Sequence, residues 1–238
     1  MGGFETAEHV RARIVALGNP ERALGAQRYF KTGPGEYGEG DVFVGVRVPE
    51  LRKLAREYRS LPVSDAVRLL HDPVHEVRLF ALLMMVQSFS QAVPSKQERI
   101  CQLYLKHTRF INNWDLVDVS AEHIVGAYLM GRDQTPLDTL ARSSLIWERR
   151  IAIVSTFFFI RRKNYALTIR IAEILLNDSE DLIHKAVGWL LREVGKRDRT
   201  ELERFLKKNG VRMPRTMLRY AIERFPEPQR KQYLRTMA

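Results

Sequence analysis

The stretch from Asn112 to Asp118 carries the side chains best suited to chemistry. It places one tryptophan and two carboxylates within about a turn and a half of a helix. Trp114 lies four residues and Asp115 three residues before Asp118, so a helix makes them neighbours on one face. Two adjacent carboxylates could form a hydrolytic acid pair. Alternatively, Asp115 sits in the first turn, where a carboxylate favours the positive helix end and Asn112 or Asn113 can cap.

The elements around this stretch are predicted to be helices joined by short breaks, many of them starting near a proline. Residues 42–48 alternate like a strand, but nothing else in the chain could pair with them. We therefore expect an extended lead-in to a helix beginning near Pro49. The glycine-rich loop 32–41 before it matches G-x-G-x-x-G, yet no strand precedes it, and Glu36 and Glu39 would repel phosphate. A dinucleotide site is not expected there.

Internal self-similarity predicts how the helices are arranged. A charged residue stands three positions before a small one at Arg78, Asp118, Arg149 and Lys185, at intervals of 40, 31 and 36 residues. Such a period is typical of stacked helix pairs of the HEAT type. We expect an all-α, HEAT-like helical-repeat solenoid, an α-α superhelix with a concave basic groove, formed by residues 1–238 as a single domain. An ordinary helical bundle is the alternative.

The repeat register also predicts a shared surface. It places Asp118, Arg149 or Arg150, and Lys185 at equivalent positions, with Trp189 one helical turn beyond Lys185. A concave face with tryptophans, one carboxylate and a row of cations suits an enzyme that acts on a polyanion. A salt bridge to a neighbouring repeat would equally explain the aspartate, a core position the tryptophans, and a solvated helix edge the arginines.

The charge distribution favours nucleic acid as that polyanion. The chain has a formal net charge of +11, with 39 Lys and Arg against 28 Asp and Glu, and a pI near 10.0. Residues 190–238 alone hold 14 basic and 6 acidic side chains, so the surplus is concentrated at that end. A basic surface that merely aids solubility is the alternative.

Other classes of site find little support. The single cysteine, Cys101, excludes an internal disulfide and a thiolate metal cluster, which suits a reducing cytoplasm. The six histidines show no metal-ligand spacing, and no phosphate-binding P-loop is present. No run approaches the roughly 18 to 20 apolar residues that span a bilayer. We expect a cytoplasmic protein that needs no metal and no cofactor and has no membrane partner.

The sequence resembles the AlkD family of DNA glycosylases, the HEAT-like repeat enzymes of DNA alkylation repair. The matching segments run through most of the chain and are 29–31, 43–46, 113–118, 147–150 and 185–193. The resemblance implies that Asp118 is catalytic and that Trp114 and Trp189 contact the sugar. It also implies that Arg150 binds DNA phosphate, and we expect further phosphate contacts from the remaining candidates, Arg149, Lys185 and Tyr29.

Two features depart from the family pattern. The family's Trp-Trp-Asp motif is Asn113-Trp114-Asp115 here, which keeps the second ring, and the loop 32–41 is longer. The resemblance implies a monofunctional glycosylase that removes cationic N3- or N7-alkylated purines from duplex DNA and leaves an abasic site, and we expect a monomer. Two other functions stay open at this point. They are a non-catalytic module that binds damaged or branched DNA, and a helical-repeat scaffold for protein partners.

Overall fold

The chain folds almost entirely into helices. The structure, a computed structural model, describes residues 6–236, and within that range the only strand-like pairing is an isolated bridge between Val42 and Val74. The prediction of an all-α protein is therefore confirmed for this range. The chain divides into two compact units, Met1–Ile124 and Val125–Ala238.

The helices follow one another with short connections in both units. In the first unit they are α1 Ala7–Ala16, α2 Pro20–Tyr29, α3 Val48–Glu57, α4 Val63–Leu70, α5 His75–Ser90, α6 Pro94–Lys106 and α7 Trp114–Asp118. In the second they are α8 Ala127–Leu129, α9 Thr135–Ala141, α10 Ile146–Ser155, α11 Phe157–Ile160, α12 Ala166–Ile174, α13 Asp181–Gly195, α14 Arg199–Asn209, α15 Arg215–Ala221 and α16 Glu227–Thr236. Short 3₁₀ or π turns complete the description at Thr108–Phe110, Glu122–Gly126 and Gly210–Arg212.

Side-chain caps and prolines set several helix starts. The side chains of Thr6, Asn19 and Asp198 accept a hydrogen bond from the backbone N–H three residues further on, at 3.3, 2.9 and 3.1 Å. Each such bond satisfies a donor that the first helical turn leaves unpaired. Prolines occupy the first turns of α2, α3, α6 and α9, in line with the prediction that prolines mark several helix starts.

A recurrent contact marks the repeats. Arg78 of α5 donates to the carbonyl oxygens six and five residues before it, at 2.9 and 3.0 Å, and Arg149 of α10 does the same, at 3.0 Å each. In α13 the ring of His184 bonds the carbonyl oxygen six residues before it, at 2.6 Å. The position in α13 equivalent to Arg149 is therefore His184, so Lys185 is equivalent to Arg150, the second arginine that the sequence register left open. Asp118 is the fifth residue of α7, and Arg150 and Lys185 are likewise the fifth residues of α10 and α13.

Residues 42–47 form an extended lead-in to α3, as predicted, and the helix begins at Val48, next to the predicted Pro49. The buried carboxylate of Glu76 accepts hydrogen bonds from the backbone N–H groups of Val44, Gly45 and Val46, the shortest at 2.7 Å. Gly45 adopts φ +82°, and a Cβ there would lie 2.2 Å from the carbonyl oxygen of Asn19. A carboxylate thus replaces the strand partner that this segment lacks.

The loop 32–41 folds on itself rather than around a ligand. The carboxylates of Glu36 and Glu39 accept hydrogen bonds from the backbone N–H groups of Gly33 and Gly35, each at 2.9 Å. The donors that a dinucleotide phosphate would need are therefore occupied by the loop's own acids. The exclusion of a dinucleotide site agrees with this geometry.

The second unit is held by close helix packing around α13. A Cβ at Gly188 would lie 2.5 Å from the carbonyl oxygen of Met217 and from the Cβ of Tyr220, so α13 and α15 approach at backbone distance. Residues 151–154 of α10, which follow Arg150, are also fully buried. No helix within residues 6–236 has the length and apolar character needed to cross a membrane.

Candidate functional site

The helix α7 is short and is fixed at both ends. The side chain of Asn113, fully buried, accepts a hydrogen bond from the backbone N–H of Trp114 at 2.8 Å and caps the first turn. Just beyond the other end, the hydroxyl of Ser120 donates to the carbonyl oxygen of Leu116 at 2.6 Å and lies 2.9 Å from the hydroxyl of Tyr104. Burial raises the pKa of Tyr104, so this hydroxyl stays neutral. These contacts fix the turn that carries Asp118.

Trp114 lies in an aromatic cluster. Its ring stacks on Phe30, with centroids 5.3 Å apart and planes 22° apart, and meets the edge of Tyr29 at 5.9 Å. The stack continues from Phe30 to Phe43 at 5.0 Å. Trp114 and Asp118 are both half-buried, and Tyr29 is 66% exposed. The ring of Trp114 is therefore partly accessible, with one face stacked on Phe30 and Phe43 behind it, and with Tyr29 at its edge.

Asp115 is engaged by neighbouring groups. One carboxylate oxygen accepts from the backbone N–H of Leu116 at 2.9 Å, and the other lies 2.8 Å from Nε2 of His75. The second ring nitrogen of His75 lies 3.0 Å from a carboxylate oxygen of Asp41. Burial alone would lower the pKa of His75, which is 1% exposed, but the hydrogen bonds to Asp115 and Asp41 outweigh it and raise that pKa above 6.5. The imidazolium form, a donor at both nitrogens, satisfies both carboxylates.

Asp41 ties the end of the loop 32–41 to the same network. Its carboxylate also accepts from Arg78 at 2.6 Å, from Asn112 at 2.9 Å and from Asn113 at 3.4 Å. Burial would raise the pKa of Asp41, but the hydrogen bond from His75 and the charge of Arg78 outweigh it and lower that pKa below 3.8. We call Asp41, His75, Arg78 and Asp115 the α7 network. It holds the loop, α5 and α7 together.

Sequence reasoning missed the connections in this network. His75 lies 34 residues from Asp41 and 40 from Asp115, and no local spacing indicates such pairs. Arg78 was recognised only as a repeat position. The one available signal was an acidic residue closing a glycine-rich loop, which is common in loops of every kind.

In the second unit, Trp189 lies on α13 beside a further aromatic ring. It meets Phe157 edge to face, with centroids 5.6 Å apart, and the guanidinium of Arg161 lies 4.7 Å from the Phe157 centroid. One turn before Trp189, the ammonium of Lys185 lies 2.7 Å from Asp181. This hydrogen bond lowers the pKa of Asp181. Trp189 and Lys185 are both half-buried on one face of α13.

The two candidate arginines of α10 make internal contacts. Arg150 is 6% exposed and donates to the carbonyl oxygen of Leu182 at 2.8 Å. Arg149 contacts both carboxylate oxygens of Asp178, at 2.6 and 3.3 Å, besides the two carbonyls described above. In this structure both guanidiniums fix α10 within the second unit. A phosphate-binding role for either one stays a prediction.

The structure thus brings Tyr29, Trp114 and Asp118 into one region of the first unit. In the second unit Arg150 reaches the first turn of α13, which also carries Lys185 and Trp189. Within residues 6–236, no group of three or more His, Cys, Asp or Glu side chains is placed to hold a metal ion.

Comparison with known proteins gives a family and a fold. The model of the family described as DNA alkylation repair enzyme matches residues 10–225. A solved structure described as a predicted DNA alkylation repair enzyme from Enterococcus faecalis is 19% identical with a TM-score of 0.67, over 88% of this chain and 97% of that one. AlkD2 from Streptococcus mutans is 17% identical with a TM-score of 0.55, over 93% and 97%. These likenesses confirm the predicted helical-repeat fold. No curated protein sequence matches the chain.

Proposed function

Because the chain belongs to the family of DNA alkylation repair enzymes, we propose that it is a monofunctional DNA glycosylase. Its substrate would be duplex DNA with cationic N3- or N7-alkylated purines. It would hydrolyse the bond between the alkylated base and deoxyribose and leave an abasic site. We further propose that it acts in the cytoplasm as a monomer, with residues 1–238 as one domain. Size-exclusion chromatography checks the oligomeric state.

The chemistry requires only one carboxylate. An N3- or N7-alkylated purine already carries a positive charge, so the base departs without protonation by a general acid. The remaining task is to stabilise the positive charge that develops on the sugar. Glycoside hydrolases that act on neutral leaving groups need a second, protonated carboxyl group for this reaction. Here an ionised Asp118 would oppose the charge on the sugar and orient the attacking water.

The observation that carries the proposal is the pairing of Trp114 with Asp118 on α7. Both are half-buried, and the ring is fixed by Phe30 and Tyr29. An aromatic face next to a cationic sugar adds a favourable electrostatic contact. Asp115, the other acid of α7, is bonded to His75. Asp115 would thus serve a structural role and Asp118 a chemical one, which fits a reaction without a general acid.

The remaining candidates would hold the DNA. Trp189 would pack against deoxyribose, as the family resemblance implies. Lys185, Arg150 and Arg149 would contact phosphates, and the exposed Tyr29 would contact the backbone through its hydroxyl. Phosphate contacts fix the position of a protein on a duplex and carry no sequence information.

Release of 7-methylguanine from methylated duplex DNA tests the proposal. Asp118→Asn should lower the single-turnover rate about 10²- to 10³-fold, in line with the loss of one preorganised electrostatic group. Asp133→Asn is the matched control. Asp133 is an exposed aspartate that bonds the backbone N–H of Thr135 at 3.0 Å, and its substitution should leave the rate unchanged.

Two outcomes would contradict the proposal. Full activity of a folded Asp118→Asn variant would remove the assigned role of this residue. Binding of DNA by the wild-type chain, without base release from any alkylated substrate, would instead favour a non-catalytic module for damaged or branched DNA.

A further inference from the structure

A basic pocket lies on the second unit. It is formed by residues of α13, of α15, of the connection that follows α15, and of α16. Six residues line it: Lys185, Thr216, Arg219, Tyr220, Glu223 and Arg230. Three of the six are cations and one is an acid. We call this set the α13–α15 pocket.

The acid in the pocket is already neutralised. Glu223 pairs with Arg192, which is not part of the pocket lining. Lys185 pairs with Asp181 one turn away on α13. The Lys185 and Asp181 side chains are 41% and 56% exposed, and a partly solvated pair of this kind contributes at most about 1 kcal/mol, so the ammonium can exchange partners at little cost.

The two arginines of the pocket lack such partners. Within residues 6–236, the exposed guanidinium of Arg219 makes no hydrogen bond or ion pair with the protein and faces solvent, whereas Nε of the half-buried Arg230 is itself buried without a hydrogen-bond partner. Burying a donor without an acceptor is unfavourable, and such a group in a folded protein calls for a ligand or a water. The lining as a whole presents an excess of positive charge to whatever enters.

Several other basic side chains of the second unit, unlike the two arginines of the pocket, are paired with acids. Most of the neighbouring basic residues between 190 and 210 pair with acids, in contacts that include Lys196 and Arg197 with Glu193, Arg199 with Glu203, and Lys208 with Glu173. The charge surplus of the C-terminal segment is therefore not spread evenly. Arg219 and Arg230, which line the α13–α15 pocket, belong to this surplus and pair with no acid within residues 6–236.

We propose that the α13–α15 pocket binds a phosphate group. Guanidinium groups present paired donors that match phosphate oxygens, and two of them in one pocket suit a tetrahedral anion. The hydroxyl of Tyr220 adds a neutral donor from the same wall, whereas that of Thr216 already bonds the carboxylate of Asp181. The phosphate belongs either to the DNA backbone, in which case the pocket extends the DNA contacts of the proposed function and rests on it, or to a free phosphate or mononucleotide.

Binding of undamaged duplex DNA distinguishes these sources and needs no base release, so the result stands even if the chain proves to lack glycosylase activity. The pocket variant is Arg219→Gln with Arg230→Gln. The control is Arg142→Gln with Arg212→Gln, which removes the same charge from two exposed arginines of the second unit outside the pocket. Circular dichroism and urea unfolding check that each variant folds.

If the pocket holds a backbone phosphate, the slope of log K against log salt for the pocket variant becomes shallower, by about 0.9 for each DNA phosphate that the variant no longer neutralises. The control variant changes the slope by less. Arg219→Lys with Arg230→Lys keeps the charge but removes the paired donors, so it should restore most of the slope and only part of the affinity.

If the pocket takes free phosphate, calorimetric titration with inorganic phosphate gives binding to the wild-type chain that the pocket variant loses, while the salt slope for DNA stays unchanged. The proposal is overturned if inorganic phosphate does not bind the wild-type chain and the pocket variant keeps the wild-type salt slope. It is also overturned if the pocket and control variants lose DNA affinity and slope equally without a change in phosphate binding.

Discussion

Trp114 and Trp189 are similar side chains in different settings. Both are half-buried, and each meets a neighbouring aromatic ring edge to face, at 5.9 and 5.6 Å. Trp114 begins a helix of 5 residues, whereas Trp189 lies within one of 15 residues. A helix of one or two turns is not stable by itself. The position of Trp114 therefore depends on the contacts around α7.

The two tryptophans are supported by different kinds of interaction. Charged and polar groups of the α7 network hold α7, through hydrogen bonds of 2.6 to 3.0 Å from Arg78 to Asp41 and from His75 to Asp41 and Asp115. Helix α13 instead depends on the absence of a side chain at Gly188, which lets α15 approach. The stability that the α7 network provides should therefore change with charge and pH. The stability that the α13–α15 contact provides should change with the volume of the side chain at position 188.

Removing the charge of Asp41 should have the largest effect. Asp41→Asn keeps the shape but leaves Arg78 and His75 without the anion that they share, in a site where Asp41 is 7% exposed. Loss of one partner from a buried ion pair costs about 3 to 5 kcal/mol. Urea unfolding measures the change in the free energy of unfolding.

Asp65→Asn provides the control for this comparison. Asp65 pairs with Arg68 at 3.3 Å on the surface, where the Arg68 side chain is 70% exposed. Its loss should cost at most about 1 kcal/mol. Equal effects of the two substitutions would show that the α7 network does not support α7.

Adding a methyl group at Gly188 should have the next largest effect. In Gly188→Ala the new Cβ meets a backbone carbonyl and the Cβ of Tyr220 at 2.5 Å, and the α13–α15 contact has to widen. Such overpacking costs about 1 to 3 kcal/mol. Gly25→Ala in α2, where nothing lies within 4 Å of the added Cβ, should instead stabilise by about 0.5 to 1 kcal/mol. Stabilisation by both would refute the close approach of α15.

The α7 network should make stability depend on pH. Folding raises the pKa of His75 above 6.5, so its contribution is complete below pH 6.5 and is lost as the pH rises through the raised value. Folding lowers the pKa of Asp41 below 3.8, so its contribution is present above pH 3.8 and is lost as the pH falls through the lowered value. Among these groups, the charge of Arg78 opposes the protonation of His75 and favours the ionised Asp41.

Urea unfolding at a series of pH values tests this dependence. The wild-type free energy of unfolding should decline on going upward from pH 6.5, and His75→Gln should remove that decline. Gly188→Ala retains the network and should keep the wild-type pH dependence with a lower stability throughout. A decline that persists in His75→Gln would assign the pH dependence to another group.

The sequence predicted the helices far better than the contacts that support them. Proline positions and the near-regular period were local signals, and they predicted the all-α repeat fold. A helix through Trp114 and Asp118 with a cap from Asn112 or Asn113 was predicted from one stretch of seven residues, and the structure places the cap at Asn113. The α7 network combines residues from a loop, α5 and α7, and its pairing follows from the tertiary structure rather than from any local pattern.

The contacts of the two predicted phosphate-binding arginines also depend on tertiary structure that local sequence does not reveal. Arg149 and Arg150 were placed on the shared surface by their position in the repeat, and Arg150 was assigned to DNA phosphate by the family resemblance. Neither argument says where a long side chain turns. In the structure Arg149 meets Asp178, 29 residues away, and Arg150 meets a carbonyl of α13. Conversely, Arg219 and Arg230 gave no sequence signal beyond the basic composition, and their shared pocket required the fold.

Phe30 provides the smallest and most local test of the comparison. Its ring stacks on Trp114, whereas within residues 6–236 the aromatic ring that Trp189 contacts is that of Phe157, edge to face. Phe30→Leu removes the stacked ring, and aromatic pairs of this kind contribute about 0.5 to 1.5 kcal/mol beyond their buried area. The emission of Trp114 should shift to longer wavelength as water reaches the exposed face, measured with Trp147→Phe and Trp189→Phe in the background. Phe158→Leu is the control, since Phe158 is half-buried and, within residues 6–236, makes its ring contacts with Phe159 and Arg162. An unchanged emission in Phe30→Leu would mean that the α7 network alone positions Trp114. The stacked ring of Phe30 would then have no part in holding the tryptophan.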